Sequence, residues 1–234
     1  MMERRYEAYK THVVRPFFRE HFARLDRQIV LIDALQAINR GAEAVHDLER
    51  ALGDVLDCFR AGTNSFLSSF VTRRIDRIVI AATKADHLHH ESHPRLEAVT
   101  RRLVGRAVER IGMSGAGIEV MALASVRATR EATVKHGGED LPVIVGVPMA
   151  GERINGETFD GERKTAIFPG DLPKDPDSLF QALESVPEGE APHLLNFVRF
   201  RPPHIEETGG GLKLSVPHIR LDRALQYLIG DRLA

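Results

Sequence analysis

The sequence predicts an α/β fold, because three apolar, strand-like segments alternate with two stretches of helical periodicity. The strand-like segments are residues 28–32, 78–82 and 118–124. Each strand-and-helix unit takes about 40 residues, enough for a helix that returns the chain to a neighbouring parallel strand. After residue 140, short strand-like runs alternate with clusters of Gly, Pro and acidic residues, which predicts a small antiparallel β subdomain.

The elements on either side of the first strand follow from local composition. Residues 3–24 mix polar and aromatic side chains and predict a helical segment that Pro16 interrupts. Residues 28–32 are apolar after Gln28 and are followed by Asp33, which is typical of a strand buried on both faces. A helix is expected next, with its apolar positions and its terminating glycine at Val45, Leu48, Leu52, Val55, Leu56, Phe59 and Gly62.

A second helix separates the second and third strands. Pro94 suits its first turn, where a backbone N–H is not needed, and Gly112 suits its end. The apolar face of this helix consists of Leu96, Val99, Leu103, Ala107 and Ile111. The chain closes on an amphipathic pattern from Ile219 to Gly230, which predicts a final helix packed back on the α/β sheet.

Four segments are therefore expected along the chain. They are a helical lead-in at 1–27, an α/β domain at 28–140, a β-rich subdomain at 141–217 and a final helix at 218–234. The strands expected in the subdomain are residues 143–147, 165–168, 194–200 and 212–216. The stretch "FQALESV" is expected to supply one short helix there.

Composition and charge limit the classes of function. Of 234 residues, 43% are hydrophobic, and 32 basic residues balance 33 acidic ones. The chain is therefore not expected to bind nucleic acid through its overall charge. No apolar run approaches the roughly 20 residues of a membrane span, and no signal-peptide core follows the first residues, so we expect a cytoplasmic protein without a transmembrane segment.

The residues that follow the three predicted strands are the first candidates for a ligand site, because open α/β sheets bind ligands at the carboxyl ends of their strands. Asp33 follows the first strand, as in a Walker B element whose carboxylate orients a water on Mg²⁺. An aspartate there is equally typical of a helix N-cap. Ser125 follows the third strand in a small-residue loop that suits backbone contact with a base carbonyl, although it too can cap a helix.

Thr83, Lys84, Ala85 and Asp86 follow the second strand and match the [Asn/Thr]-Lys-x-Asp pattern of guanine-nucleotide-binding proteins. Asp86 can accept hydrogen bonds from the ring N–H and the exocyclic amine of guanine, a donor pair that adenine lacks. The methylene stem of Lys84 can lie over the face of the base. The motif thus predicts GTP or GDP as the ligand, with Mg²⁺.

Four histidines come directly after this motif, namely His87, His89, His90 and His93. His89 and His93 have the spacing of metal ligands on one helix face. No cysteine accompanies the four histidines, and Pro94 follows them. We therefore expect a solvated histidine loop rather than a metal site.

The sequence lacks the phosphate-binding motif that a nucleotide hydrolase of this type needs, Gly-x-x-x-x-Gly-Lys-[Ser/Thr]. Nothing before residue 28 has the pattern of a first strand and phosphate loop. We interpret the chain as the carboxyl-terminal part of a longer GTPase, or as a relative that has lost catalysis. Alone, it is expected to bind nucleotide only weakly, because most charge-assisted contacts to phosphate are missing.

Longer stretches of the sequence resemble a specific family. They are "VRPFFREHFARLDRQIVLIDALQAINRG", "FVTRRIDRIVIAATKADHLHHESHPRLEAV", "FVRFRPP" and "PHIRLDRALQYLIGDRL". These stretches are similar to the YcjX proteins, bacterial stress-associated P-loop GTPases, and the similarity covers essentially the whole chain. The resemblance implies part of a Ras-like GTPase sheet, and hydrolysis of GTP by a longer protein whose amino-terminal half carries the P-loop.

The same resemblance implies roles for individual residues. Asp33 would be the second-switch aspartate, and Ser125 would belong to the last base loop. The guanine-specificity residues would be Thr83, Lys84 and Asp86. Gln36 stands where a Ras-like second switch has glycine, which puts the usual glycine N–H contact to the γ-phosphate in doubt.

Two other functions remain open on the sequence. One is a non-catalytic interaction module whose β subdomain presents an exposed sheet edge to a protein partner. The other is an ATP-specific P-loop NTPase of the same fold, which Asp86 disfavours.

Overall fold

The computed structural model describes most of the chain. The described residues are 2–20, 25–58, 75–112, 115–154, 156–186, 195–203, 207–208, 211–212 and 216–233. The predicted end of the first long helix at Phe59 and Gly62 lies outside them, as do parts of the strands predicted at 194–200 and 212–216.

A three-stranded parallel sheet lies at the centre of the fold. Its strands are β1 (Arg27–Ile32), β2 (Arg77–Ala82) and β3 (Gly117–Ala122), in the order β1-β2-β3. The pairing is in register, so that Ile32 lies beside Ala82 and Ala82 beside Ala122. The α/β fold class with a parallel sheet is thus confirmed, and the three strands end at one common edge.

Helices cover both faces of this sheet. The α-helices of the described residues are α1 (Met2–Tyr9), α2 (Arg15–Glu20), α3 (Ala34–Arg40), α4 (Ala42–Cys58), α5 (His93–Gly112), α6 (Pro176–Glu184) and α7 (Leu221–Ile229), and those that pack on the sheet are α3 to α7. Helices α3 to α6 supply the core on one face, which includes Ile38, Leu56, Ile80, Leu96 and Leu183. The other face packs on α7 through Val79, Ala81, Met121, Leu123, Ala224 and Leu228. Within the described ranges, no helix is both long and apolar enough to cross a bilayer.

Strand β1 is buried on one face only, contrary to the prediction. Ile32 is buried among the helices, whereas Ile29 is 41% exposed and Leu31 is 60% exposed. The reason is that α7 packs on β2 and β3 but does not extend over β1. A continuous apolar run therefore misled the prediction, because it reports the character of the side chains and not whether a partner covers them.

The prediction that Pro16 interrupts the amino-terminal helix was wrong. Helices α1 and α2 are joined by a π-helical turn at Lys10–Val14, in which the N–H of Arg15 donates to the carbonyl of Lys10. Pro16 then falls in the first turn of α2. The π turn changes the hydrogen-bond pattern just before the proline, which has no N–H to donate, and the helical path continues.

Short antiparallel sheets follow the parallel one, as predicted. The largest has the order β4-β5-β8, with β4 at Arg130–His136, β5 at Glu139–Gly146 and β8 at Thr165–Ile167. Two small hairpins pair β6 (Arg153–Ile154) with β7 (Glu157–Thr158) and β9 (Glu207–Thr208) with β10 (Gly211–Leu212). Gly137 and Gly138 both have positive φ and form the turn between β4 and β5. This hairpin spans residue 140, so the antiparallel sheet begins before the predicted boundary.

The β-rich region is not separate from the α/β core. Asp175 caps α6 by accepting from the N–H of Asp177, and the helix carries most of the predicted "FQALESV" segment. Leu172, Leu179 and Leu195 belong to the same buried cluster as the helices on the parallel sheet. The chain therefore leaves the core after β3, forms the antiparallel sheets and returns before α7.

Candidate functional site

The loops after the three parallel strands are joined by backbone hydrogen bonds. The N–H of Thr83 donates to the carbonyl of Ile32 (2.8 Å), and its hydroxyl donates to the same oxygen (3.2 Å). The N–H of Ala85 donates to the carbonyl of Leu123 (3.2 Å). The structure thus places the Thr-Lys-x-Asp motif between the ends of the two flanking strands, as the sequence order suggested.

Asp33 is the N-cap of α3, which was the alternative to a metal-binding role. Its Oδ1 accepts from the N–H of Gln36 (3.2 Å). Its Oδ2 lies 2.5 Å from the Nζ of Lys84. When the Gln36 amide is oriented to suit its neighbours, its nitrogen also donates to Oδ2 (3.0 Å). Both carboxylate oxygens therefore have partners from this chain, and the predicted Mg²⁺ role of Asp33 stays a prediction.

Lys84 adopts a backbone conformation that is unusual for its residue type. Its φ and ψ are 60° and 33°, the left-handed region. This conformation costs roughly 1–2 kcal/mol for a residue with a Cβ. The ion pair with Asp33 and the backbone bonds on either side hold it there. Such strain is characteristic of functional loops and makes Lys84 a candidate on structural grounds as well as by motif.

Asp86 is nearly buried, at 4% exposure. Its Oδ2 accepts from the N–H of Ala128 (2.8 Å), and its carbonyl accepts from the hydroxyl of Thr129. The carboxylate that the sequence assigned to base recognition is therefore covered by the segment that follows β3.

The loop after β3 is not the strand-to-helix turn that was the alternative to a base-contacting loop. Ala124 forms an antiparallel bridge with Ile219, whose carbonyl accepts the Ala124 N–H (3.1 Å). The chain then runs through the exposed Ser125 into β4, so Ser125 does not cap a helix. The Ala124 N–H is already used, which leaves the residues from Ser125 onward as the part of the loop for a ligand.

The histidines after the motif are not a solvated loop, contrary to the prediction. His93 is 3% exposed and His89 is 8% exposed, while His90 faces solvent. The Nε2–H of His93 donates to the carbonyl of Ala85 (2.8 Å), so this side chain supports the Thr-Lys-x-Asp turn from below. Burial lowers the pKa of His93, which favours the neutral form of the ring.

His87 connects the motif to the β-rich region. Its ring meets that of Phe200 edge to face, with 5.3 Å between the centroids. Burial is the largest influence on His87 and lowers its pKa. Phe200 in turn is bridged through its backbone to Pro148. The segment that follows the Thr-Lys-x-Asp motif is therefore packed against a residue of the β-rich region.

Three supporting residues could not be found from the motif itself. Ala128 and Thr129 hold Asp86, and His93 holds Ala85. Ala128 acts through its backbone N–H, so its side-chain type carries no signal, whereas His93 acts through its imidazole on a backbone carbonyl that any residue could offer. Only the placement of His93 seven residues after Asp86, at the start of α5, hinted at a local contact.

The chain is similar in sequence to proteins of one known family. Residues 1–233 match the family described as "YcjX-like family, DUF463". A protein of Shewanella oneidensis named "Ras-like GTPase YcjX" is 31% identical over the whole chain, which covers 44% of that protein. A protein of Escherichia coli with the same name is 32% identical, again over the whole chain and 45% of its own length.

The chain thus spans less than half the length of these two relatives. The family match, by contrast, extends over almost every residue, including the site loops and the antiparallel sheets. The chain belongs to the YcjX-like family.

Proposed function

We propose that this chain forms the guanine-recognition part of a Ras-like GTPase, which binds GTP or GDP with Mg²⁺ in the full-length protein. The observation that carries the proposal is the in-register parallel sheet. Its register brings Lys84 and Asp86 between the end of β1 and the loop after β3. The names of the two relatives support the same class of ligand.

Asp86 is the proposed base-reading group, and its present contacts define how it would act. The Oδ2 atom accepts one backbone N–H, from Ala128 at 2.8 Å. Guanine offers two N–H donors on one edge, so it can replace that bond and add another. We infer that base binding displaces the segment around Ala128 and Thr129.

Lys84 and Asp33 are assigned complementary roles. The ion pair at 2.5 Å and the left-handed backbone direct the stem of Lys84 along the edge of the sheet. A base stacked on that stem would lie next to Asp86. Asp33 already caps α3 and pairs with Lys84, so we favour a role of this carboxylate in positioning Lys84.

Hydrolysis of GTP is proposed for the whole protein and not for this chain in isolation. Phosphate binding by a P-loop supplies most of the charge-assisted contacts to a nucleotide. The two relatives are more than twice as long as the segment that they share with this chain. An in-frame upstream sequence encoding Gly-x-x-x-x-Gly-Lys-[Ser/Thr] is the expected genomic finding.

The decisive experiment exchanges the donor and acceptor pattern at Asp86. An asparagine at this position would accept from the ring N–H but donate where guanine also donates, and it would suit xanthine, which carries an oxygen there. In the longest natural protein that contains this chain, Asp86→Asn should weaken GDP binding at least tenfold and strengthen binding of xanthosine diphosphate. The matched control is Asp140→Asn, at an exposed position on β5.

Unchanged GDP affinity in Asp86→Asn would rule out base reading by this carboxylate. Equal losses for guanine and xanthine nucleotides would show that the substitution acts through folding only. Tighter binding of ADP than of GDP by the parent protein would favour the ATP-specific alternative. Calorimetric titration with GDP, ADP and xanthosine diphosphate measures all of these outcomes.

The interaction-module alternative rests on β4. This strand is at the edge of the β4-β5-β8 sheet, and residues 133–140 around its turn are exposed. An exposed edge can accept a strand from a protein partner. Partner binding that is equal in the parent, in Asp86→Ala and without nucleotide would favour this alternative.

A further inference from the structure

A cluster of side chains with nitrogen and oxygen ligand atoms follows the Thr-Lys-x-Asp motif in the chain. It consists of His89, His90 and Glu91, one potential ligand atom from each lying within 4.8 Å of the others. The three residues precede α5, and His90 and Glu91 belong to a 3₁₀ turn at His90–Ser92. The proposed guanine-reading role does not involve this cluster. The histidine spacing in the sequence indicated a different pair, His89 and His93.

The buried ring of His89 has an unsatisfied nitrogen. His89 is 8% exposed, and its Nδ1 has no hydrogen-bond partner among the residues that the structure describes. Buried polar atoms normally have one, so an orphaned nitrogen calls for a partner. Oε2 of Glu91 lies 3.8 Å from this nitrogen, too far for a hydrogen bond.

That separation suits two ligands of one metal ion. With zinc–nitrogen and zinc–oxygen bonds of roughly 2.0–2.2 Å, two ligands of a tetrahedral ion lie roughly 3.3–3.6 Å apart, and never more than roughly 4.3 Å. Glu91 is exposed, so small rotations of its side chain can shorten the present 3.8 Å without disturbing the core. His89, held by burial, supplies the fixed point of the site.

His90 is oriented by a carboxylate from another element. Its Nδ1 lies 2.6 Å from Oε2 of Glu131, on β4. Glu131 is held in turn by Arg127, whose Nη2 lies 3.1 Å from Oε1. A histidine that donates one N–H to a carboxylate keeps the lone pair of its other nitrogen for a metal, and such outer carboxylates are typical of metal-ligating histidines. The centroids of the His89 and His90 rings lie 4.3 Å apart, so the two side chains lie side by side.

We propose that His89, His90 and Glu91 form a binding site for a divalent transition metal of the zinc type. Two imidazoles and one carboxylate suit zinc, cobalt or nickel, and they are a poor set for Mg²⁺ or Ca²⁺, which prefer oxygen ligands only. Water completes the coordination. Because Glu131 orients His90, the bound ion ties the segment after Asp86 to strand β4.

The experiment uses the full chain without a histidine tag. Zinc and cobalt binding are measured by competition with a chromophoric chelator, and the absorption of bound cobalt reports its coordination number. The site variants are His90→Asn and Glu91→Gln, both at exposed positions, with Glu131→Gln for the orienting carboxylate. Matched controls are His136→Asn and Glu139→Gln, at exposed positions beside the β4–β5 turn. Circular dichroism confirms that each variant is folded.

One equivalent of zinc is expected, with at least tenfold weaker binding in His90→Asn and in Glu91→Gln. Glu131→Gln should weaken binding roughly tenfold, as orienting carboxylates do elsewhere. The control variants should bind as the parent does, and cobalt should show four-coordinate absorption that disappears in Glu91→Gln. Equal weakening in the controls, or binding in Glu91→Gln and His90→Asn that matches the parent, would overturn the proposal.

Discussion

Replacing Asp86 by alanine is expected to destabilise the folded chain even without nucleotide. The side chain is 4% exposed, and its Oδ2 accepts the Ala128 N–H at 2.8 Å. A hydrogen bond to a charged group contributes about 1.5–3 kcal/mol, and its loss leaves a half-buried donor without a partner. We therefore expect Asp86→Ala to lower the free energy of unfolding by about 2 kcal/mol.

Asparagine separates this structural role from charge. Asp86→Asn keeps an oxygen that can accept the Ala128 N–H and removes the cost of burying a carboxylate. Its effect on the free energy of unfolding should stay within about 1 kcal/mol. Asp140→Ala, at an exposed position on β5, is the control for loss of an aspartate and should change stability by less than about 0.5 kcal/mol.

Urea unfolding followed by circular dichroism measures these differences. With a slope of about 2–3 kcal/mol per molar urea, Asp86→Ala should lower the midpoint by roughly 0.7–1 M. If Asp86→Ala has the same urea midpoint as Asp140→Ala, the hydrogen bond from the Ala128 N–H to Asp86 does not stabilise the loop at Thr83–Asp86. An Asp86→Asn variant as unstable as Asp86→Ala would also contradict a stabilising role of this bond, because the backbone bond would then not explain the loss.

Three further substitutions test other parts of the structure. Lys84→Gly should have a free energy of unfolding about 1 kcal/mol higher than that of Lys84→Ala, and should unfold at a higher temperature, because glycine adopts φ near 60° without steric cost. The reverse order would contradict the left-handed backbone. Burial lowers the pKa of His93 from 6.5. Below that pH the unfolded chain binds a proton at this histidine that the folded chain does not bind, so the free energy of unfolding decreases as the pH is lowered. His93→Gln should flatten this fall, measured as urea midpoints at pH about 7.5 and about 5.5, and an unchanged slope would assign it to other groups. Gly146→Ala should cost about 1–3 kcal/mol because its Cβ would lie 2.6 Å from the Phe200 ring, whereas Gly105→Ala in α5 has open space and should stabilise by about 0.5–1 kcal/mol; thermal unfolding of the pair tests the contrast.

The parallel sheet and its main helices could be predicted because their signals are local. The apolar face of α5 recurs at helical spacing, with Pro94 in the first turn and Gly112 at the end, as the structure has them. Strand β2 is a continuous apolar run and is buried on both faces. Helix α5 makes its hydrogen bonds within itself and buries one apolar stripe, so its own residues specify it. The apolar run of β2 is matched by partners on both faces, whereas the similar run of β1 is covered on one face only.

Strand β4 could not be predicted in the same way. From Arg130 to His136 it has charged and polar residues on both faces, and most of its side chains are exposed. Its pairing with β5 is specified by the two glycines at the turn and by the partner strand, which no alternation within β4 reveals. The sequence boundary at 140 therefore divided one hairpin.

The details of the candidate site depend on contacts between distant segments. Lys84 and Asp33 are far apart in the sequence, and only the pairing of β1 with β2 brings their side chains together. The burial of His89 and His93 was missed because histidine occurs both inside and outside proteins, and composition does not distinguish the two. The motif thus indicated a candidate loop at the end of β2, while the register of the sheet determined which side chains support that loop.

The contacts of the loop at Thr83–Asp86 connect it to the antiparallel sheet. Ala128 and Thr129, which hold Asp86, come immediately before β4, and Glu131 within β4 holds His90. A base that takes the place of the Ala128 N–H must therefore move the start of β4, and a contact that fixes β4 must change how readily the base is admitted. Because such a coupling acts equally in both directions, a metal ion at His89, His90 and Glu91 and a guanine base at Asp86 should each alter the affinity of the other. Zinc titrations of the full-length protein with and without GDP measure that coupling, and equal zinc affinity in the two conditions would show that the loop moves independently of β4.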